Sequence, residues 1–323
     1  MCDYIIFSAG QDAIMSPMTI KTKALLAIII AACLWASASS VAKVLVAQTN
    51  PFVVTFYRFG IASVILLPLF VMAKKPKGYL LQLLPLGLFN TGNVLFYYTG
   101  AALTTANTMV ILGTAVPITV TACSYLLIHE SPSRQKLIGI VLGLIGVLYI
   151  VLLPIIVHGQ AIGGTLAGNL LEVGSLLSWT MYIIYSRHIL SKGTFSPIVS
   201  TSINLFTCTV GSAIAALVTH QSFLVPAFRT PTYLGTMIYA AIGITVITFF
   251  LFQWAIQHVS ASTASLKEYL QLVVGVGING VVLGEAFTVN YILGSALVVI
   301  GVIIATSGQI TKKLSAILFS QGE

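Results

Sequence analysis

Leu127-Ile128-His129-Glu130 and Val282-Leu283-Gly284-Glu285 stand 155 residues apart, and the same shift lays Gly139 on Gly294 and Gly146 on Gly301. Self-similarity at a fixed shift marks a chain built from two copies of one unit. Working outward from these anchors, each copy holds five mostly apolar stretches of about 20 residues, the length that spans a hydrocarbon core. The ten stretches lie near 24–47, 52–73, 80–102, 104–128, 135–156, 166–189, 198–219, 232–256, 260–283 and 288–309. Turn or charge signals separate them, among them Asn50-Pro51, Lys74-Lys75-Pro76-Lys77-Gly78, Ser131-Pro132, Ser196-Pro197 and Thr230-Pro231. Because five is odd, the second copy enters the membrane from the opposite side. The expected fold is therefore an all-α membrane protein: ten transmembrane helices as two inverted five-helix repeats around a central cavity, a plan shared by many secondary transporters. The expected boundaries are an N-terminal tail over 1–22, repeats over 23–156 and 157–310, and a cytoplasmic tail over 311–323.

Composition agrees. Of 323 residues, 58% are apolar and only 7% charged, against about 25% charged in globular domains. So few charges cannot cover a soluble surface of this size, which excludes soluble enzymes, nucleic-acid binders and disordered scaffolds. The net charge of +8 is explained by where the fifteen bases fall. With the N-terminus inside, Lys21, Lys23, Lys74, Lys75, Lys77, Arg134, Lys136, Arg187, Lys192, Lys312 and Lys313 are cytoplasmic, and Arg229 alone lies in an outer loop. Eleven against one follows the positive-inside rule with both termini cytoplasmic. The expected partners are the lipid bilayer and a small-molecule substrate, with no nucleic acid, in a monomer or homodimer. No cofactor is expected.

The N-terminus carries two decoys. Lys21 and Lys23 before an apolar run and Ala36-Ser37-Ala38 resemble a cleavable leader, and Ile30-Ala31-Ala32-Cys33 resembles a lipoprotein site. Either cut would remove most of the first span, so both are read as uncleaved. Met15 and Met18 are alternative starts. Cys2, Cys33, Cys123 and Cys208 have no paired spacing and read as small packing residues. The five histidines are scattered, with no metal-binding spacing.

The residues resemble the ten-helix EamA branch of the drug/metabolite transporter superfamily over about 24–309. The resemblance rests on Leu34-Trp35, Tyr57-Arg58-Phe59 with Ala62, Pro117 thirteen residues before Glu130, Gly139, Gly168-Asn169, Ser178-Trp179 and Gly284-Glu285 followed by Gly294. Three positions depart from it: Ala36 stands where a Gly is usual, Leu272 where a Pro is expected, and Asn169 replaces a common acid. The resemblance implies export or exchange of small metabolites, often amino acids or amphiphiles, through a central cavity in a bacterial inner membrane.

Polar residues three, four and seven apart share a helix face and nominate the helices that line such a cavity. Span 1 offers Trp35, Ser39 and Lys43; span 3 offers Asn90, Asn93 and Tyr97. Span 4 carries Asn107, Thr114 and Thr121, and span 6 carries Glu172, Ser175, Trp179, Tyr182 and Ser186. Span 8 has Thr245, Gln253 and Gln257, and span 9 has Glu268, Gln271, Gly275 and Asn279. Spans 5 and 10 are almost wholly aliphatic, with glycines at 139, 143 and 146 and at 294, 301 and 308. Small residues at helical spacing permit close approach, so these two read as scaffold or a dimer seam. Trp35 and Trp179 suit either an interfacial belt or a cavity wall. Trp179 lies about 20 Å of helix from its outer end by the helical rise, deeper than a belt, and the wall is the favoured reading for both.

Charge inside a span costs at least about 2.5–3.5 kcal/mol and marks functional candidates. Lys43, Arg58 and Glu172 share a depth of roughly 6–10 Å below the outer face by helical rise. That depth suggests a gate in which Glu172 meets Lys43 or Arg58, or a permanent pair fixing spans 1, 2 and 6. Lys267 and Glu268 lie roughly 10–12 Å above the inner end of span 9 by the same rise. Adjacent positions point about 100° apart, so these two are not expected to neutralise each other face to face. Glu268 then suits proton coupling or a substrate ammonium, and Lys267 a carboxylate. Glu130 and Glu285, at helix ends, suit bracing of the inter-helix turns.

A secondary transporter is the leading reading. No phosphate-binding Gly-x4-Gly-Lys-Ser/Thr loop appears. An intramembrane enzyme would need a nucleophile–base pair or metal spacing in the spans, and the sequence has neither. A passive channel is the alternative, and inverted repeats favour alternating access over it.

Overall fold

Proline and hydroxyl or amide caps begin many of the helices. Asn50 accepts from the Phe52 N–H just before Pro51, and Ser196 accepts from the Val199 N–H just before Pro197. Thr165 and Ser260 cap by the same chemistry. Such caps satisfy amide donors that have no intrahelical acceptor, and proline loses nothing at a first helical position. The computed structural model describes residues 19–104, 109, 112–158, 165–283 and 289–319. Side chains are outside that description at 39, 150–158, 276–283, 290–291 and 307–319. Asn107, Glu285, residues 1–18 and 320–323 and the side chains of Ser39 and Asn279 therefore lie outside the described residues.

The described chain is all-helical. In order the helices are α1 (Ile20–Trp35), α2 (Ala38–Val46), α3 (Pro51–Met72), α4 (Tyr79–Leu103), α5 (Val116–Ile128), α6 (Arg134–His158) and α7 (Leu166–Leu190). They continue with α8 (Pro197–Val218), α9 (Pro231–Ala241), α10 (Thr248–Ile256), α11 (Ala261–Ser265), α12 (Lys267–Leu283) and α13 (Val289–Phe319). A π-helical turn, Ile242–Ile247, joins α9 to α10 without interrupting the rod. Among the described residues, three helices are long and apolar enough to cross a membrane by composition: Pro51–Met72, Pro197–Val218 and Pro231–Ile256. Ile20–Trp35 and Ser40–Val46, bent by 40° at the break between them, make a fourth if the pair is one span.

Several expected spans are thus broken or polar rather than continuous and apolar. Span 1 breaks at Ala36-Ser37, where Ser37 donates to the Leu34 carbonyl at 3.0 Å. Span 9 breaks at Leu266, and the helical turn at Leu112-Gly113 gives way at Thr114-Ala115 before α5 starts. These two breaks are near repeat counterparts, since Leu112 and Gly113 fall on Lys267 and Glu268 under the shift of 155.

Helix pairings also come in repeat-related sets. α4 packs on α7 as α10 packs on α1, and α5 packs on α7 as α12 packs on α1. α3 packs on α8 and α6 on α13, each element meeting its own counterpart. The glycine seams expected of spans 5 and 10 face each other within one chain. A methyl added at Gly301 would lie 2.6 Å from the Gly143 nitrogen and 2.7 Å from the Gly139 oxygen, and one at Gly146 would lie 2.7 Å from the Gly294 oxygen. The backbones touch, and only glycine fits. Large apolar side chains such as Val64, Leu81, Leu126 and Leu217 remain exposed on the outside, the surface that hydrocarbon covers.

Candidate functional site

The two tryptophans meet at the centre. Trp35 ends α1, Trp179 sits midway along α7, and their rings touch edge-on with centroids 5.8 Å apart. Phe249 of α10 packs edge-on against both. The Trp35 Nε1 donates to the Ile244 carbonyl at 3.0 Å. That carbonyl lies in the π turn, whose wider winding frees a backbone acceptor from the regular ladder.

Beside the indoles is a cavity of about 150 Å³. Ten of the residues nominated from the sequence line it: Trp35, Arg58, Asn93, Tyr97, Glu172, Ser175, Trp179, Lys267, Glu268 and Gln271. They come from α1, α3, α4, α7 and α12. Leu112, Gly113 and Val116 also line it, and they are the repeat counterparts of Lys267, Glu268 and Gln271. One half therefore presents an apolar copy of the strip that the other half makes charged.

Asn90, Tyr182 and Gln253 lie one layer behind this wall. Each is fully buried. Asn90 accepts from the Asn93 Nδ2 at 3.2 Å, and Asn93 in turn accepts from the Ser175 hydroxyl at 2.9 Å. Tyr182 stacks on Trp179 with ring centroids 4.9 Å apart, and Gln253 donates to the Tyr182 hydroxyl. These residues position the wall.

Lys267 and Glu268 require a correction. Their side chains meet, with Lys267 Nζ 2.6 Å from Glu268 Oε1. The expectation assumed a continuous helix, but α12 starts at Lys267 after the break at Leu266, and the long lysyl chain folds back along its neighbour. Lys267 is 3% exposed, and its ammonium lies 4.2 Å from the Trp35 ring centroid and 4.9 Å from that of Trp179. Glu268 Oε1 also accepts from Trp179 Nε1 at 2.8 Å. The cation thus has a carboxylate on one side and two aromatic faces on the others, an arrangement worth more when desolvated.

Arg58 makes no ion pair among the described residues. Its Nε donates to Thr245 Oγ1 at 2.7 Å, Nη1 to the Tyr98 hydroxyl at 2.7 Å, and Nη2 to the Ile244 carbonyl at 3.2 Å. The guanidinium is held by fixed neutral acceptors, so it fastens α3 to α4 and the π turn. Lys43 donates to the Ala101 carbonyl at 2.6 Å and the Thr104 carbonyl at 3.5 Å, at the end of α4. Glu172 is 5% exposed and closely faces Gly100, and its Oε1 has no hydrogen-bond partner. Neither of the pairings expected of Glu172 is formed in this conformation.

Arg187 is the residue that reading by position left among the surface charges. It lies outside the cavity lining and ties helix ends together. Its Nε lies 2.6 Å from Glu130 Oε1, and its Nη1 donates to the carbonyls of Ile256 and Gln257 at 3.1 and 3.0 Å. Glu130 Oε2 accepts from the Ala261 N–H at 2.9 Å, capping α11. Lys136 donates to Ser260 Oγ at 2.7 Å beside it. Glu130 thus braces more than the expected turn: it ties α7 to the α10–α11 connection. A signal for Arg187 existed in the sequence, because it follows Lys43 by 144 residues as Trp179 follows Trp35.

A helical membrane protein with an aromatic and charged cavity shared between two like halves belongs to the class of solute carriers. The chain belongs to the EamA-like transporter family, whose model matches residues 22–152 and again 166–307. It is a multi-pass membrane transporter rather than an enzyme. It is similar to the uncharacterized transporter YetK of Bacillus subtilis, 28% identical over 82% of this chain and 81% of that relative. It is also similar to the uncharacterized transporter YoaV of the same organism, 26% identical over 88% of this chain and 97% of that relative. A crystal structure with 19% sequence identity superposes with a TM-score of 0.70 over 88% of this chain and 98% of the other, a likeness of fold.

Proposed function

We propose that the chain is a secondary active transporter that exports or exchanges a small amino-acid-like or amphiphilic metabolite by alternating access. Ten crossings, two inverted five-helix halves over 23–156 and 157–310, and both termini on the cytoplasmic side of a bacterial inner membrane make up the arrangement. The repeat-related helix pairings support a twofold relation between the halves, and the eleven-to-one distribution of bases supports the orientation.

The observation that carries the reading is the cavity itself, where Trp35 and Trp179 from the two halves meet beside the Lys267–Glu268 pair. Apolar parts of a substrate lie against the indoles and against Leu112 and Val116. Its polar groups meet Asn93, Tyr97 and Gln271. Lys267 and Glu268 already satisfy each other, so they receive a substrate by sharing hydrogen bonds rather than by giving up an unpaired charge. Glu172 is the acid free to act, and it takes the proton-coupling role in this reading. Asn90, Tyr182 and Gln253 hold the wall in place.

In this reading the Arg187–Glu130 clamp is the gate of the cytoplasmic end, supported by its ties to the Ile256 and Gln257 carbonyls and the Ala261 N–H. When that end opens, Lys43 closes on Glu172 at the outer end, and the two arrangements exchange about the central tryptophans. Ser39 and Asn107 complete the set of residues proposed along the path. A reconstituted counterflow assay tests this. Saturable exchange that depends on internal substrate supports a transporter, non-saturable flux points to a channel, and a chemically altered product points to an enzyme. Candidate substrates come from comparing metabolite toxicity in overexpressing and deleted cells.

A further inference from the structure

A second recess, of about 750 Å³, shares no lining residue with the tryptophan cavity. It is a groove on the outside of the molecule between α3 and α8. Ile61, Val64, Leu67 and Phe206 form its apolar sides, Gly60 and the Ser63–Thr209 pair its floor, and Phe70, Tyr79 and Leu80 one end. Val64 and Phe206 are 69% and 59% exposed, so the groove opens to the surroundings of the protein. From Tyr57 to Phe70 it follows α3 for about 20 Å at the helical rise. One leaflet of hydrocarbon is about 15 Å thick. The groove therefore has the length of an extended acyl chain.

Two further observations give the occupant a head. Lys74, Lys75 and Lys77 follow directly at the closed end, where Lys75 Nζ lies 4.5 Å from the Phe70 ring centroid and donates to the Val71 and Ala73 carbonyls at 3.2 and 3.1 Å. Ser202 lines the groove five residues into α8, so its hydroxyl stands about 7.5 Å along the helix from the same end. Ser202 is buried, and its Oγ has no hydrogen-bond partner. A buried hydroxyl with no acceptor costs free energy that a ligand acceptor recovers.

We propose that this groove is a binding site for one anionic phospholipid. The phosphate sits among the three lysines, an ester carbonyl accepts from Ser202 Oγ, and an acyl chain fills the trough down to Tyr57. Each part of the lipid meets a matching part of the groove at the right depth. A choline headgroup brings a cation towards three lysines and is disfavoured. A second copy of the chain would leave Ser202 and the lysines without a counterpart.

The test is native mass spectrometry of the full chain equilibrated with equal phosphatidylglycerol and phosphatidylcholine. A lysine near an anionic headgroup favours it about fivefold, so the wild type retains phosphatidylglycerol over phosphatidylcholine by about fivefold or more. The Lys74→Gln, Lys75→Gln, Lys77→Gln triple variant brings the ratio to about one. Ser202→Ala reduces retained phosphatidylglycerol about two- to tenfold, the value of one hydrogen bond. Gly60→Leu removes both lipids: a Cβ at Gly60 meets Thr209 Cγ2 at 3.5 Å, an ordinary contact, so the larger side chain fills the trough without disturbing the helix. Equal retention by the wild type overturns the proposal, as does an unchanged ratio in the triple variant. A lipid-free dimer assigns the groove to a second copy instead.

Discussion

Lys43 and Arg187, 144 residues apart, do the same thing at the ends of matching helices. Lys43 donates to the Ala101 carbonyl at 2.6 Å and Arg187 to the Ile256 carbonyl at 3.1 Å. Ala101 and Ile256 are themselves 155 residues apart, the shift of the internal repeat. The two clamps differ in one respect. Arg187 also holds the carboxylate of Glu130, whereas the hydrogen bonds of Lys43 go to backbone carbonyls. In the proposed inverted arrangement they close opposite ends of the path, and the end with the carboxylate is the one held shut.

Glu130→Gln tests that clamp. It removes the ion pair with Arg187 and weakens the cap on Ala261 while leaving the packing intact. The pair is 22–23% exposed, so solvent screening reduces its worth to about 1 kcal/mol. The expected result is faster hydrogen exchange over residues 258–264, by about five- to tenfold, with exchange in α3 and α8 unchanged. Protection as high as in the wild type would show that the clamp does not hold this end.

Trp179→Phe separates the indole N–H from the indole face. The phenyl ring still lies beside Lys267, but Glu268 loses a 2.8 Å donor. A hydrogen bond to a charged acceptor contributes about 1.5–3 kcal/mol, so counterflow should slow by about tenfold or more. Trp179→Leu, which also removes the aromatic face, should be slower still. Equal rates for the two variants would mean that the ring face has no part in holding Lys267.

Much of this arrangement is legible before folding. The shift of 155 reveals the two halves, proline and cap residues mark most of the helix starts, polar spacing along spans 1, 3, 6 and 9 selects eight residues of the cavity wall, and charge inside a span adds Arg58 and Lys267. What escapes has a common cause: it depends on backbone breaks that no sequence signal announces. The break at Leu266 has no proline, so the Lys267–Glu268 contact is invisible to a helical-wheel argument. The π turn at Ile242–Ile247 likewise carries no punctuation beyond Gly243, yet its Ile244 carbonyl holds both Trp35 and Arg58. Arg58 finds Thr245 and Tyr98 on other helices, and position along its own span gives no hint of either.

Gly301→Leu tests the seam between α6 and α13. The new side chain has no room, because a Cβ alone falls 2.6 Å from the Gly143 backbone nitrogen, and backbone cannot move aside as a flexible side chain would. The expected cost is about 1–3 kcal/mol or more, read as a lower melting temperature and loss of monodisperse protein in detergent. Gly235→Leu is the control, since a Cβ there meets nothing within 4 Å. Comparable losses in the two variants would show that close approach at the seam is not what the glycines provide.

Glu172 and Glu268 should respond to the same substitution in opposite ways. Glu268 neutralises Lys267, which is 3% exposed. Glu268→Gln therefore leaves a buried cation without its counter-charge, a loss of about 3–5 kcal/mol, and both stability and counterflow should fall. Glu172 Oε1 has no partner to abandon, so Glu172→Gln should leave the unfolding free energy within about 1 kcal/mol of wild type. Its effect should appear only where a proton must move. Counterflow, which requires no net proton transfer, should persist and lose its dependence on pH, because a glutamine holds one protonation state throughout. Accumulation driven by an imposed pH gradient should disappear. If Glu172→Gln still accumulates substrate against a pH gradient while Glu268→Gln remains folded and does not, the coupling group is Glu268 and Glu172 serves only the outer gate.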